Sequence, residues 1–338
     1  MPRADVLLVS LGGTAGLREA DIELAEGLRR AGAVVAEAHA ARVREWRTFA
    51  LIELAWARSA RVAAQAGLAA HRPRAVLYSS TTAALLAPAT GAIRFDATAA
   101  GNRPGRHGLW QRPVERRRLA AAPLLVPWSE GGLAEALRPR ADAVVVPVPV
   151  APSGPANGER DIAAVTYGAN PEKKGLDRVL GAWAAARRPG EELVVAGLDG
   201  AGTGPHGAPA ARHAAAAEGV RFTGMLPRAE YRALLRRARL FVCAPRREDY
   251  GIAQLEALAD GCMLVTTPSP GPYAALPLAR ALDPRLVSGD LAGALRLGLD
   301  DPAAGYAERA LDALAPWRPE AVDRVIAEVL LPRLLSLA

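Results

Sequence analysis

A chain of 338 residues, 51% apolar and 23% charged, carries enough material for two globular domains with sizeable cores. No apolar run approaches the ~18 residues that a membrane-spanning helix requires, and Cys243 and Cys262 are too few for a disulfide framework or a metal site. The formal charge of +7 is uneven: residues 1–155 hold 20 arginines against 13 acidic residues, while residues 156–338 hold 22 of each sign. A basic first half implies an acidic partner (nucleic acid, anionic lipid or a phosphorylated substrate) or an arginine surface laced with ion pairs.

The opening "MPRADVLLVSLGG" reads as a strand and turn rather than a secretory signal, so a cytoplasmic protein is expected. "DVLLVSL" is a continuous apolar run, as a strand buried on both faces should be. The turn "GGTAG" leads into a helix that sets Leu17, Ile22, Leu24 and Leu28 along one side, with Gly32 at its end. "AVVAEAHA", "AVLYSS", "GAIRFDA", "PLLVPWS" and "AVVVPVPV" are further strand candidates, and a long helical region runs to His71. Strands alternating with helices predict βαβ units and a parallel sheet.

Residues 147–161, "PVPVAPSGPANGERD", have linker composition. Beyond them the alternation resumes, with strands "IAAVTYG", "ELVVAGL", "VRFTGM", "RLFVCAP" and "MLVTTP" separated by helices, including one across residues 208–219. The predicted architecture is α/β, with two Rossmann-like, doubly wound parallel-sheet domains facing a central cleft. Residues 1–152 form the first domain, 153–312 the second, and 313–338 a helical region broken by Pro332 that returns to the first.

Two stretches carry chemistry. In "RREDYGIAQLEALADGC", Glu248 lies in a loop after a strand, and Glu256 lies just over one turn inside the helix that begins near Ile252. Gly251 lets the backbone approach a ligand, and the first-turn amides point toward an anion. Two carboxylates for hydroxyls and a helix N-terminus for phosphate suit a sugar nucleotide; solvated glutamates are the plainer alternative. In "YGANPEKKGLD", Lys173 and Lys174 are the only lysines of the chain. Lys174 precedes Gly175 at a strand-to-helix entry, where a flexible point charge suits a departing diphosphate.

In order and spacing, "EKKGLD", "VVAGLDG", "GVRFTGMLPRAEYRALLRRARLFVCAP" and "EDYGIAQLEALADGCMLVTT" over residues 162–268 resemble the family 4 retaining glycosyltransferases, which have the GT-B fold. "LGGTAGLREADIELAEGLRRAGAVV" is similar, more loosely, to the glycine-loop opening of the family. The resemblance implies that Lys174 binds the donor diphosphate, Glu248 the donor sugar and Glu256 the ribose. It also implies that Gly251, Ile252 and Ala253, with Asp249 and Tyr250 beside them, surround the sugar and phosphates. Thr223, Gly224 and Met225 would meet the base, and Gly12 and Gly13 would approach from the first domain.

Two departures stand out. Ala169 and Asn170 occupy the place where the family has an arginine, leaving Lys173 or Arg247 to substitute. Asp96 occupies the place of a histidine near the donor sugar, and is either a proton acceptor or a turn residue; His107 is the alternative. "RPVERRRLAA" is the densest basic run, lacking the interleaved aromatics of a nucleic-acid site.

The resemblance implies a glycosyltransferase of hexosyltransferase type. It would take a UDP or GDP sugar as donor; with Lys174 and the helix N-terminus meeting the leaving-group charge, no cofactor or metal is expected. The basic first half, with its run at 112–121, leads from charge to an unidentified, anionic or lipid-linked acceptor and peripheral membrane contact, with no nucleic acid expected. A sugar-nucleotide epimerase and a non-catalytic sugar-nucleotide-binding protein are the rival readings.

Overall fold

The computed structural model describes residues 3–44, 48–103, 105–136, 142–155, 159–199 and 218–337. The chain divides into two compact units, Met1–Pro149 with Pro316–Ala338, and Val150–Ala315.

In the first unit the order is β1 (Val6–Ser10), α1 (Ala15–Arg30), β2 (Val35–His39), α2 (Phe49–His71), β3 (Ala75–Tyr78), α3 (Thr81–Ala84), β4 (Ala92–Phe95), α4 (Ala99–Asn102), α5 (Gln111–Ala121), β5 (Leu125–Pro127) and α6 (Glu130–Glu135). The five strands pair in parallel in the order β2-β1-β3-β4-β5. Leu24 and Leu28 of α1 pack on one face of the sheet together with Val322, Ile326, Leu330 and Leu334 from the C-terminal residues. Ala60 and Ala64 of α2 and Leu119 of α5 cover Tyr78, Ile93 and Phe95 on the other face. Ile22 departs from expectation: it is 57% exposed, because two residues of helix rotation carry it away from Leu24.

Two other expectations are corrected. "AVVVPVPV" is not a strand. It runs beside β5 through one bridge, Leu125 to Ala143, and its Val144 and Val146 amides donate to the Leu125 and Pro127 carbonyls at 2.9 Å each; there β5 ends, and Pro147 and Pro149 have no amide to donate. Nor does Pro332 break the tail. Helix Pro319–Val325 passes through a π-helical turn, Ile326–Leu330, into helix Leu331–Leu335, which has Pro332 in its first turn. The widened turn accommodates the missing amide and the ring of the proline.

Glu115 on α5 lies inside the first unit, 3% exposed, and its Oε1 accepts from the Ala99 amide at 2.7 Å. Burial pushes its carboxyl up to about 7 despite hydrogen bonds from Thr81 and Ala99. The folded chain therefore holds this proton to higher pH than the unfolded chain. The group costs nothing below the ordinary carboxylate pKa and destabilises progressively as pH rises through 7, approaching ~3 kcal/mol. Glu115→Gln is expected to raise the melting temperature at pH 8 and not at pH 5; equal gains at both would contradict this.

In the second unit the order is β6 (Ile162–Tyr167), α7 (Pro171–Lys174), α8 (Leu176–Ala186), β7 (Leu193–Ala196), β8 (Val220–Gly224), α9 (Arg228–Arg237), β9 (Ala238–Cys243), α10 (Ile252–Ala259), β10 (Met263–Thr266), α11 (Ala275–Leu282), α12 (Leu291–Asp300) and α13 (Tyr306–Ala313). Its strands are also all parallel, in the order β10-β9-β6-β7-β8. The helix expected across 208–219 falls largely outside the described residues.

Candidate active site

The central strands β6 and β9 of the second unit end side by side, and the loops that follow them are fastened together. Asn170 caps α7, its Oδ1 accepting from the Lys173 amide at 3.2 Å, and Pro171 supplies the fixed φ that a first helical turn favours. Gly175 then takes a left-handed conformation, φ 63°, to redirect the chain into α8. A Cβ at this position would lie 1.9 Å from the Ala244 carbonyl oxygen, so only glycine permits the approach. The Arg246 amide donates to the Lys173 carbonyl at 3.0 Å across the same junction.

This junction brings the lysines to the acidic loop. Lys174 Nζ donates to Glu248 Oε1 at 3.0 Å and Oε2 at 2.8 Å. Desolvation pulls the ammonium toward its neutral form, but the Glu248 carboxylate outweighs this and leaves its pKa above the ordinary value. Lys173 pairs through Nζ with Asp249, whose other oxygen accepts from Arg247 Nε at 3.1 Å. Two adjacent buried carboxylates thus gather three cations. Glu248 is held from beneath by Gln254 Nε2 at 2.9 Å, which also reaches Cys243 Sγ at 3.7 Å. Cys243 in turn contacts the hydroxyls of Thr266 and Tyr273, a buried chain below the carboxylate.

Gly251 leads into α10 with φ 93° and, as the residue at the N-cap, makes no side-chain bond to the amides of the first turn. Ile252 and Ala253 open that turn, whereas Tyr250 is core, 2% exposed. One turn further on, Glu256 Oε1 lies 3.1 Å from Arg228 Nη2 and 3.5 Å from Arg232 Nη1. Arg232 is itself fixed by Asp260 at 2.5 Å and by the Ala151 carbonyl at 2.7 Å. At the end of β8, Gly224 has φ 70° and its carbonyl accepts from the Gly197 amide at 2.8 Å, Thr223 is half-buried, and Met225 is 56% exposed. The Tyr167 and Tyr231 rings meet at a tilt between β6 and α9, with centroids 5.6 Å apart and planes at 59°.

Asp96, Gly12 and Gly13 belong to the first unit. Asp96 follows β4, half-buried, and its Oδ1 accepts from the Ala97 amide at 2.8 Å. Gly12 takes φ 59° after β1, and its carbonyl accepts from Arg18 at 2.9 Å; Gly13 follows, exposed. Beneath these loops lies a buried ion pair, Arg94 with Asp21 at 3.4 Å, joined by the Ser10 hydroxyl and by the Trp128 ring under the guanidinium. Burial raises the Asp21 carboxyl, with Arg94 opposing it. The side chain of His107 lies outside the described residues.

Gln254, Arg228 and Arg232 escaped the sequence reading. Gln254 lies two residues before Glu256 and carried no signal of its own. Arg228 and Arg232 are four apart and so share a helix face, a spacing that could have pointed them at Glu256. Among the described residues, no group of three His, Cys, Asp or Glu is arranged to hold a metal ion.

Residues 152–276 match the family model described as Glycosyl transferases group 1. No curated protein matches the chain. Among solved structures, the chain is similar to WaaG, a glycosyltransferase involved in lipopolysaccharide biosynthesis, at 16% identity and TM-score 0.68, covering 95% of this chain and 99% of that one. It is similar to the sucrose-phosphate synthase of Thermosynechococcus elongatus at 18% identity and TM-score 0.70, covering 99% and 100%. It is also similar to HepE of Anabaena, solved in complex with UDP and glucose, at 15% identity and TM-score 0.69, covering 97% and 99%. Identities this low establish the fold, which is GT-B. With the matched domain in the second unit, the chain is a glycosyltransferase.

Proposed function

We propose that the protein is a retaining transferase of family 4 type that moves a hexosyl group from a nucleoside-diphosphate sugar to an acceptor hydroxyl. The observation that carries this reading is the bidentate contact of Lys174 with Glu248 beside the start of α10. When the bond from the anomeric carbon to the phosphate oxygen breaks, its electrons go to the diphosphate, where Lys174 and the α10 amides meet the growing charge. Glu248 holds sugar hydroxyls and Glu256 the ribose. The acceptor oxygen bonds to the anomeric carbon and gives up its proton, for which Asp96 is the proposed acceptor. The leaving-group charge is met by protein groups, so the reaction requires no metal. The UDP found in HepE supports a uridine donor, and the arginine-rich first unit favours an anionic or lipid-linked acceptor.

Release of nucleoside diphosphate that depends on an added acceptor tests this reading. Release without transfer, or interconversion of the sugar, would favour hydrolysis or epimerisation. Glu256→Ala is expected to weaken both the bare diphosphate and the full donor by about tenfold or more, the scale of hydrogen bonds to a charged group. Unchanged diphosphate affinity would remove Glu256 from the ribose. Asp96→Asn is expected to leave donor affinity within a few-fold and lower turnover ~100-fold; near-normal turnover would make Asp96 a turn residue.

A further inference from the structure

The whole formal charge of the chain lies in the first unit, which holds 23 arginines against 16 acidic residues, while the second unit holds 19 of each sign. Within the first unit this charge is not spread evenly. On the α1 layer arginines are matched: Arg29 pairs with Glu26 and Glu37, and Arg30 with Asp323.

The α2 and α5 layer, on the opposite face of the sheet, is different. The single acid of α2, Glu53, is buried against Thr82 and Arg103. The single acid of α5, Glu115, is buried as described above. Neither helix exposes a carboxylate among the described residues, yet Arg58 and Arg61 of α2 and Arg116 and Arg117 of α5 are exposed. Large apolar side chains stand among them, with Leu51 47%, Val62 66% and Leu109 62% exposed.

These groups form one surface. The helices α2 and α5 both pack on α3. Trp110 Nε1 donates to the Ala50 carbonyl at 3.2 Å, setting Leu109 beside the first turn of α2. Arg112 Nη2 holds the Gly105 carbonyl at 2.7 Å, and Arg116 lies one helical turn further along the same side. Leu51, Arg58 and Val62 recur at 7 and 4 residues along one stripe of α2. Two helices that expose arginines and no carboxylate, with projecting leucine and valine side chains, have the chemistry of a headgroup-level contact: guanidinium on lipid phosphate, short apolar insertion below; the half-buried Glu135 of α6 lines the cavity beside Arg112 and Arg116. No described helix is long and apolar enough to cross a membrane, so the contact would be interfacial.

We propose that the α2/α5 face of the first unit docks on an anionic bilayer. The contact is independent of the donor reading, since its residues lie outside the proposed donor groups and Asp96.

The full chain is sedimented with vesicles of phosphatidylcholine and with vesicles that also contain phosphatidylglycerol. Binding is expected only to the second kind, weakening as salt is raised. Arg116→Glu and Arg58→Glu should each reduce it at least fivefold, the scale of one arginine at a charged interface. Leu109→Ser should reduce it with no change of charge. Arg324→Glu, the same charge change on the α1 layer, should have a smaller effect than either. Transfer to a soluble acceptor should stay unchanged in all four variants. No binding to anionic vesicles, equal losses from Arg324→Glu and Arg116→Glu, an unaffected Leu109→Ser, or tighter binding to an RNA duplex than to vesicles would each overturn the proposal.

Discussion

Lys174→Ala is expected to lower transfer turnover by ~10²–10³, the range seen when one preorganised partner of a developing anion is removed. It should weaken a nucleoside diphosphate more than the corresponding monophosphate, because the second phosphate carries the charge that the ammonium meets. Lys174→Arg should restore only part of the activity, since a larger planar fork, though able to pair with Glu248, does not fit a site shaped around a compact ammonium. Lys173→Ala should cost ~0–1 kcal/mol, because its side chain is 40% exposed and Asp249 keeps Arg247 when the lysine is lost. Parallel assays of the two alanine variants decide the assignment. A greater loss from Lys173→Ala would move the diphosphate one residue earlier and take Lys174 out of the mechanism.

Gly175→Ala is expected to be the most destabilising single change at the site, at about 2–5 kcal/mol. A left-handed backbone costs an alanine ~1–2 kcal/mol, and forcing atoms into a filled space adds ~1–3 kcal/mol. The new Cβ would press on the Ala244 carbonyl and separate the lysine turn from the Glu248 loop. Nucleotide affinity should therefore fall together with stability. Gly190→Ala is the matched control: Gly190 has φ 86°, but nothing lies within 4 Å of its Cβ position. Denaturant midpoints of the two variants separate backbone strain from collision. Equal shifts would mean that the loop junction yields easily and does not fix the lysines.

Much of this was legible because the governing signals are local. Continuous apolar runs such as "DVLLVSL" and "LFVCAP" read as strands covered on both faces, and both are interior strands of parallel sheets. Lys174, Glu248 and Glu256 stood out through lysine scarcity and through spacing around a glycine, features that sequence displays directly. What was not legible depends on contacts between distant segments. Nothing in "NPEKKG" says that Lys173 will find Asp249, since that pair spans 76 positions and exists because Gly175 lets two loops touch. Gln254 looked like an ordinary helix polar residue until Glu248 was seen above it. "AVVVPVPV" has the composition of a strand, but its neighbour β5 stops at Pro127, so pairing ends after the Val146 amide and Pro147 cannot extend it. Ile22 fits an apolar count and fails by rotation angle.

The most direct test of the donor site is calorimetric titration of the wild-type chain and of Lys174→Ala with UDP, GDP and ADP and with their monophosphates. One diphosphate should bind the wild type clearly more tightly than its monophosphate, and Lys174→Ala should erase most of that difference. Binding of no nucleoside diphosphate, or a preference for diphosphate that survives in Lys174→Ala, would contradict this.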